Sequence, residues 1–185
     1  MLIDITMKIT PQMVKNAPGR DNKVLSGHVG THFDAMNREF PLAYTQRRGI
    51  VFDVSAIRDR EIDLGDIDLN AVQPEMFVAF YSGFAEEIGY EGETYFTQHP
   101  QLSHELIDAL VERGVSIIAV DFAGIRRGKE HVPKDQYCAD HGTFVVENLC
   151  NLKELVDRGG QFKANTYPMP FTQTTGLPCR VIAEL

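Results

Sequence analysis

The chain has 185 residues, 43% hydrophobic and 24% charged, with a formal net charge of −8. That length and balance predict a single domain, 1–185, able to bury a real core. The acidic surplus, with Arg126, Arg127 and Lys129 as the one dense basic patch, argues against a nucleic-acid partner. No apolar run approaches the ~20 residues that span a bilayer, so no membrane partner is expected.

Taken in order, the opening MLIDITMKIT carries Asp4 after two apolar residues. That is not a signal-peptide pattern, and Leu2–Thr6 reads as a strand. A weak helical signal follows at Pro11–Val14. Short strands rich in Val, Ile or Phe are expected at Ile50–Val54, Met76–Tyr81, Ser116–Asp121, Thr143–Glu147 and Arg180–Ala183. Several are almost continuously apolar, which predicts burial on both faces. Another weak helix is placed at Leu69–Val72, and residues 83–100 read as a long surface loop of the kind that shapes a pocket. The clearest helix is Ser103–Arg113, with Ser103 as N-cap, Leu106, Ile107, Leu110 and Val111 at helical spacing, and Gly114 as the stop. A short helix at Leu152–Arg158 is closed by Gly159 and Gly160. Cys138, Cys150 and Cys179 are odd in number and show no CxxC spacing, which suits a reducing, cytoplasmic compartment. The expected fold class is α/β: a mixed sheet or closed, barrel-like core with few outer helices.

The densest chemical signal is SGHVGTHFDA, residues 26–35. On a helix His28 and His32 would share a face, but Asp34 would turn about 240° away. Gly30 and the β-branched Thr31 also disfavour a helix. Extended backbone points positions 28, 30, 32 and 34 the same way, collecting all three ligands, with Gly30 leaving a gap on the metal side. Two imidazoles and a carboxylate suit zinc, and also manganese or iron. Three protein ligands leave a position for water.

HVGTHFDA resembles the HxGTHxDxPxH signature of the cyclase family of metal-dependent hydrolases, which includes bacterial kynurenine formamidases and isatin hydrolase. FVVENLCNLKEL resembles the family's second motif, and IDIT, GVSIIAVD and GLPCRVIA extend the likeness over the whole chain. The resemblance implies a swivelling β/β/α domain and a homodimer or higher homo-oligomer. It also implies a divalent metal, zinc or manganese, held by His28, His32 and Asp34, with Glu147 serving the same site. Two positions depart from the pattern. Arg38 stands where the family has its proton-transferring histidine, and a guanidinium donates hydrogen bonds but accepts no proton. It is left an anchor for a substrate carboxylate or oxyanion, or a surface partner of Glu39. Asp135 stands twelve residues before Glu147, where two-metal members have a histidine. His131 and His141 are the nearby substitutes, and either is otherwise an exposed loop residue. One metal is therefore expected.

The implied activity is hydrolysis of a small amide, cyclic amide or ester by a metal-activated water, with Glu147 or Asp135 as proton acceptor. Phe33, Phe40, Tyr44, Phe84, Tyr90, Tyr95 and Phe96 are candidates to line a pocket for a small-molecule substrate, or to pack the core. The alternative is a non-catalytic relative that binds a metal or small ligand. His99 and His104 carry no motif.

Overall fold

A computed structural model describes residues 1–185, the side chain of Arg20 excepted. Eight strands form one sheet: β1 Leu2–Asp4, β2 His32–Asp34, β3 Gln46–Asp53, β4 Phe77–Tyr81, β5 Ile117–Val120, β6 Phe144–Glu147, β7 Gln161–Pro168 and β8 Gly176–Glu184. Their order is β1-β8-β2-β6-β5-β4-β3-β7, and β7 also pairs with β8. Seven strands therefore close into a ring, with β1 laid against the end of β8. Strands β3 to β6 run parallel to their neighbours in that run, and the remaining pairs are antiparallel. The long β8 closes the ring. It pairs β7 through Cys179–Glu184 on one edge, with β2 at Gly176–Pro178 and β1 at Ile182–Glu184 on the other.

Alternation along the central strands sorts two cores. Phe77, Ala79, Ile117, Ala119, Phe144 and Val146 fill the barrel with Phe33, Leu177 and Val181. Val78, Phe80, Ile118, Val120 and Val145 face outward onto Leu106, Ile107 and Leu110. Those three leucine and isoleucine side chains belong to α5 (His104–Glu112), whose first turn is capped by the Ser103 hydroxyl accepting from the Leu106 N–H at 3.1 Å. Parallel neighbours need such crossovers, and α5 supplies the one between β4 and β5.

The other helices are short: α1 Pro11–Asn16, α2 Arg20–Ser26, α3 Phe84–Ile88, α4 Glu93–Thr97, α6 His131–Asp140 and α7 Leu152–Val156. The mixed α/β reading, the six expected strands and the helices at 11–14, 103–113 and 152–158 agree with this architecture, with ends shifted by a few residues. The Leu69–Val72 signal is a 3-10 turn, Leu69–Ala71. Two expectations need correction, and the strand β7 is an addition to those expected. Residues 83–100 are not a plain loop but carry α3 and α4, each of five residues. β7 buries only Phe162, Ala164 and Thr166, too weakly apolar an alternation to stand out in the sequence. The region of His131 and His141 is α6, whose buried positions are Asp135, Cys138 and Ala139, so it shows no apolar helical period. Among the described residues no helix is long and apolar enough to cross a membrane.

Where β8 begins, backbone meets backbone. A Cβ on Gly27, whose φ is +84°, would lie 2.2 Å from the Gly176 carbonyl oxygen, whereas one on Gly19 (φ +66°) meets nothing within 4 Å. Gly19→Ala should therefore show only the left-handed strain of about 1–2 kcal/mol. Gly27→Ala should lose a further ~1–3 kcal/mol through forced displacement of the β2–β8 contact. Urea unfolding of the two variants checks this, and equal losses would refute it.

Buried His99 supplies a second prediction. It stacks on Phe122 (5.6 Å between centroids, 19°), places Nδ1 2.8 Å from the Pro100 carbonyl and leaves Nε2 without a partner. Burial pushes its pKa down to about 4. A base whose folded pKa is depressed contributes its full stability above the unfolded value of about 6.5 and loses it as pH falls toward 4. Between pH 7 and 4.5 that loss is about 2–3 kcal/mol. Unfolding free energies of His99→Phe should fall less steeply over this range than those of the wild type; parallel curves would exclude His99 as the titrating group.

Candidate metal centre

The centre follows from parity and register. Phe33 points into the barrel at 0% exposure, so its neighbours His32 and Asp34 on β2 point outward. On β6 the interior positions are Phe144 and Val146, which sends Glu147 outward too. The antiparallel register sets His32 directly opposite Glu147 and Asp34 opposite Val145. Against this face lies the start of α6, where His131 and Asp135, four residues apart, share one side.

The side chains converge. His28 Nε2 stands 3.1 Å and His32 Nε2 3.6 Å from Asp34 Oδ1, and His32 Nε2 is 3.5 Å from Glu147 Oε2. His131 Nε2 is 3.2 Å from Asp135 Oδ2 and 3.3 Å from Glu147 Oε1. Two overlapping groups result, His28–His32–Asp34 and Asp34–His131–Asp135–Glu147, and within each the candidate donor atoms all lie within 4.8 Å of one another. Asp34 belongs to both.

Protein groups orient these donors from behind. His32 Nδ1 lies 2.8 Å from the Gly30 carbonyl, so it carries the proton and turns the Nε2 lone pair toward the cluster. The Asn148 amide donates to that same carbonyl at 2.9 Å and accepts from the Tyr95 hydroxyl at 2.9 Å. The Tyr90 hydroxyl accepts from the Gly30 N–H at 3.0 Å. His28 Nδ1 sits 2.8 Å from the Ser26 hydroxyl. Asn148 itself holds φ +59°, a left-handed conformation that asparagine tolerates better than most residues.

Charge makes the arrangement costly as it stands. Asp34, Asp135 and Glu147 are all nearly inaccessible, and His32 Nε2, Asp34 Oδ2, both Asp135 oxygens and Glu147 Oε1 have no hydrogen-bond partner. Burial raises the Glu147 and Asp135 carboxyls well above the usual range, and the Asp34 charge pushes them further. Burial also works against ionised Asp34, but His32 and His28 outweigh it and hold its carboxyl below the ordinary value. Burial lowers His32 while Asp34 and Glu147 raise it, for a net rise; burial lowers His131. Orphaned buried carboxylate and imidazole atoms, arranged to face one another, fit a divalent cation.

The structure thus gathers His28, His32, Asp34, Glu147 and Asp135, all named from the sequence. Arg38 is not among them: its guanidinium is held by Asp140 on the surface, with Nε 2.9 Å and Nη2 2.5 Å from Oδ1, and not by Glu39. The extended reading of the ligand run holds for residues 32–34 only. The chain bends at residues 29–31, and Gly30 (φ +68°) leaves no gap, because a Cβ there would sit 2.6 Å from Ile9 Cγ1. His131 is in the cluster and His141 is not; His141 is exposed, with Nδ1 2.7 Å from the Tyr137 carbonyl. The sequence offers both histidines as substitutes, and the four-residue spacing from Asp135 along α6 is what separates His131 from His141. The aromatic candidates divide. Phe33, Phe40 and Tyr44 pack with Phe144 at the barrel, while Phe84, Tyr90, Tyr95 and Phe96 pack on one another beside Gly30 and Asn148. A cleft of about 420 Å³ between Ile57–Glu61 and Gln98–Gln101 is lined by none of the cluster residues.

Comparison with known proteins agrees with this fold. The sequence profile of a family described as "Putative cyclase" matches residues 3–126. No curated protein sequence matches the chain. A solved structure described as a "Potential Metal-Dependent Hydrolase With Cyclase Activity" superposes with a TM-score of 0.79 at 21% identity, covering 99% of this chain and 96% of that one. A predicted metal-dependent hydrolase from Bacillus stearothermophilus gives 0.73 at 20% identity, covering 99% and 97%. Isatin hydrolase A from Labrenzia aggregata, bound to benzyl benzoate, gives 0.72 at 18%, covering 99% and 93%. With about two thirds of its length matched by the profile, the chain belongs to the cyclase family.

Proposed function

We propose that the protein is a metal-dependent hydrolase acting on a small amide, cyclic amide or ester. The observation that carries this reading is the set of partnerless donor atoms on His32, Asp34, Asp135 and Glu147, buried together and facing one another. His28, His32 and Asp34 would hold one divalent ion, zinc or manganese, and Asp34, His131, Asp135 and Glu147 offer a second, overlapping set. When bound, such an ion supplies Lewis acidity and brings the pKa of water from 15.7 down to about 7.

The chain's own residues do the rest. The Gly30 carbonyl fixes the His32 tautomer, and Asn148 fixes that carbonyl. Asp135, with two oxygens free of protein hydrogen bonds, would accept a proton from attacking water once a bound cation offsets the burial that raises its carboxyl. Glu147, opposite His32, is the alternative acceptor. Arg38, paired with Asp140, takes no part in proton transfer. Water reaches the cluster from the side of His28 and His131, whose side chains are 22% and 27% exposed against 5% or less for the other members.

Metal content by mass spectrometry tests the reading. The wild type should carry between one and two equivalents of zinc or manganese, and His32→Ala should lose most of it while staying folded. Asp34→Ala, which removes the shared carboxylate, should abolish turnover of screened amides, lactams and esters. No metal in the wild type after incubation with either ion would reject the reading. Metal without turnover would favour a binding protein built on the same cluster, a reading that the histidine-to-arginine change at Arg38 supports.

A further inference from the structure

Beside the cluster stands a cation that has no ion-pair partner among the described residues. Lys23 lies on α2, and its Nζ sits 3.2 Å above the centre of the Phe96 ring. Its backbone carbonyl accepts from the His28 N–H at 2.8 Å, tying the residue to the first candidate ligand. Phe96 in turn packs on Tyr90, 5.3 Å between centroids, and Tyr90 hydrogen-bonds the Gly30 backbone beside His32. Lys23 is thus fastened at both ends to the loop that carries the imidazoles. Its charge reaches the cluster, acting on both Glu147 and His131.

The contact with Phe96 satisfies the ammonium's charge in part and none of its three N–H donors. Among the described residues, Lys23 Nζ makes no hydrogen bond or ion pair; Lys8, Lys15 and Lys129 share this but are exposed, and Lys134, Lys153 and Lys163 each have a carboxylate. The side chain is half-buried, and that burial brings its pKa down to about 8. A lysine that served only to solubilise α2 would extend into water. This one lies along an aromatic face with its donors unclaimed, next to a centre where amide or ester hydrolysis would generate a carboxylate.

We propose that Lys23 is a carboxylate-binding residue at the mouth of the cluster, so that the molecule accommodated there carries an anionic acid group. This deepens the hydrolase reading and rests on it for the direction of the chemistry. The ammonium would donate to one oxygen of the acid group as a charge-assisted hydrogen bond. Phe96, fixing the Nζ position in advance, limits the side-chain entropy lost on binding.

Calorimetric titration with benzoate and its neutral analogue benzamide tests the assignment on the full-length protein, with metal content measured on the same samples. Wild type should prefer benzoate by on the order of tenfold, the value expected of one charged hydrogen bond. Lys23→Met should lose that preference with its metal content unchanged, and Lys23→Arg should recover most of it. If Lys23→Met fails to fold, Lys23→Gln takes its place. A benzoate preference that survives the loss of Lys23, or its absence from the wild type, overturns the proposal. A metal-free wild type would reject the hydrolase reading instead, and the benzoate difference between wild type and variant would still decide the role of Lys23.

Discussion

The pairing of β2 with β6 is the constraint on which the candidate centre depends. Strand side chains alternate with a period of two, so a slip of one residue would carry His32 and Asp34 into the barrel and expel Phe33. The barrel forbids that slip. Phe33 is fully buried, with its ring 4.5 Å from that of Phe40, which in turn packs on Phe144. Three residues of β2 are too few to fix a register by hydrogen bonding alone. The demand of one phenylalanine for an apolar interior, set against two polar neighbours that cannot enter it, fixes where the donors stand.

Around that pairing, polar groups work against stability. Three carboxylates and an imidazole with unsatisfied atoms are withdrawn from water, which costs free energy unless a cation or protons compensate. The surrounding network is fully made by contrast. Tyr95, Asn148, Gly30 and His32 form an unbroken chain of contacts between 2.8 and 2.9 Å. Unsatisfied atoms are thus confined to the face where donors converge, and satisfied ones lie behind it. Such a division is expected where rigid support holds a costly constellation in place.

Much of this was legible in the sequence. The strands from Ile50 to Glu147 announced themselves by continuous apolar runs, and α5 by its cap and spacing. His28, His32, Asp34 and Glu147 were legible because they lie in two compact motifs. What escaped had little apolar signal or depended on long-range contact. α6 buries an aspartate, a cysteine and an alanine, so His131 seemed to belong to a loop. β7 is held by β3 and β8 on its two edges, a property of partners and not of its own composition. The bend at Gly30 is set by Ile9, Tyr90 and Asn148, from three separate parts of the chain. Arg38 could be denied a proton-accepting role from its chemistry, but Asp140 as its partner required the fold.

The closing strand also dictates an order of events. Every candidate donor lies between residues 28 and 147, yet β2 has only one of its two neighbours until Gly176–Pro178 arrive. The same arrival brings Gly176 against Gly27 and the Thr175 hydroxyl to 3.5 Å from His28 Nε2. A nascent chain that has released residue 147 therefore holds all the donors but not the wall that shapes them. Contacts of such long sequence separation form late because their loop-closure entropy must be met first. Any ion held by these donors would therefore meet their final arrangement only once β8 has closed the ring.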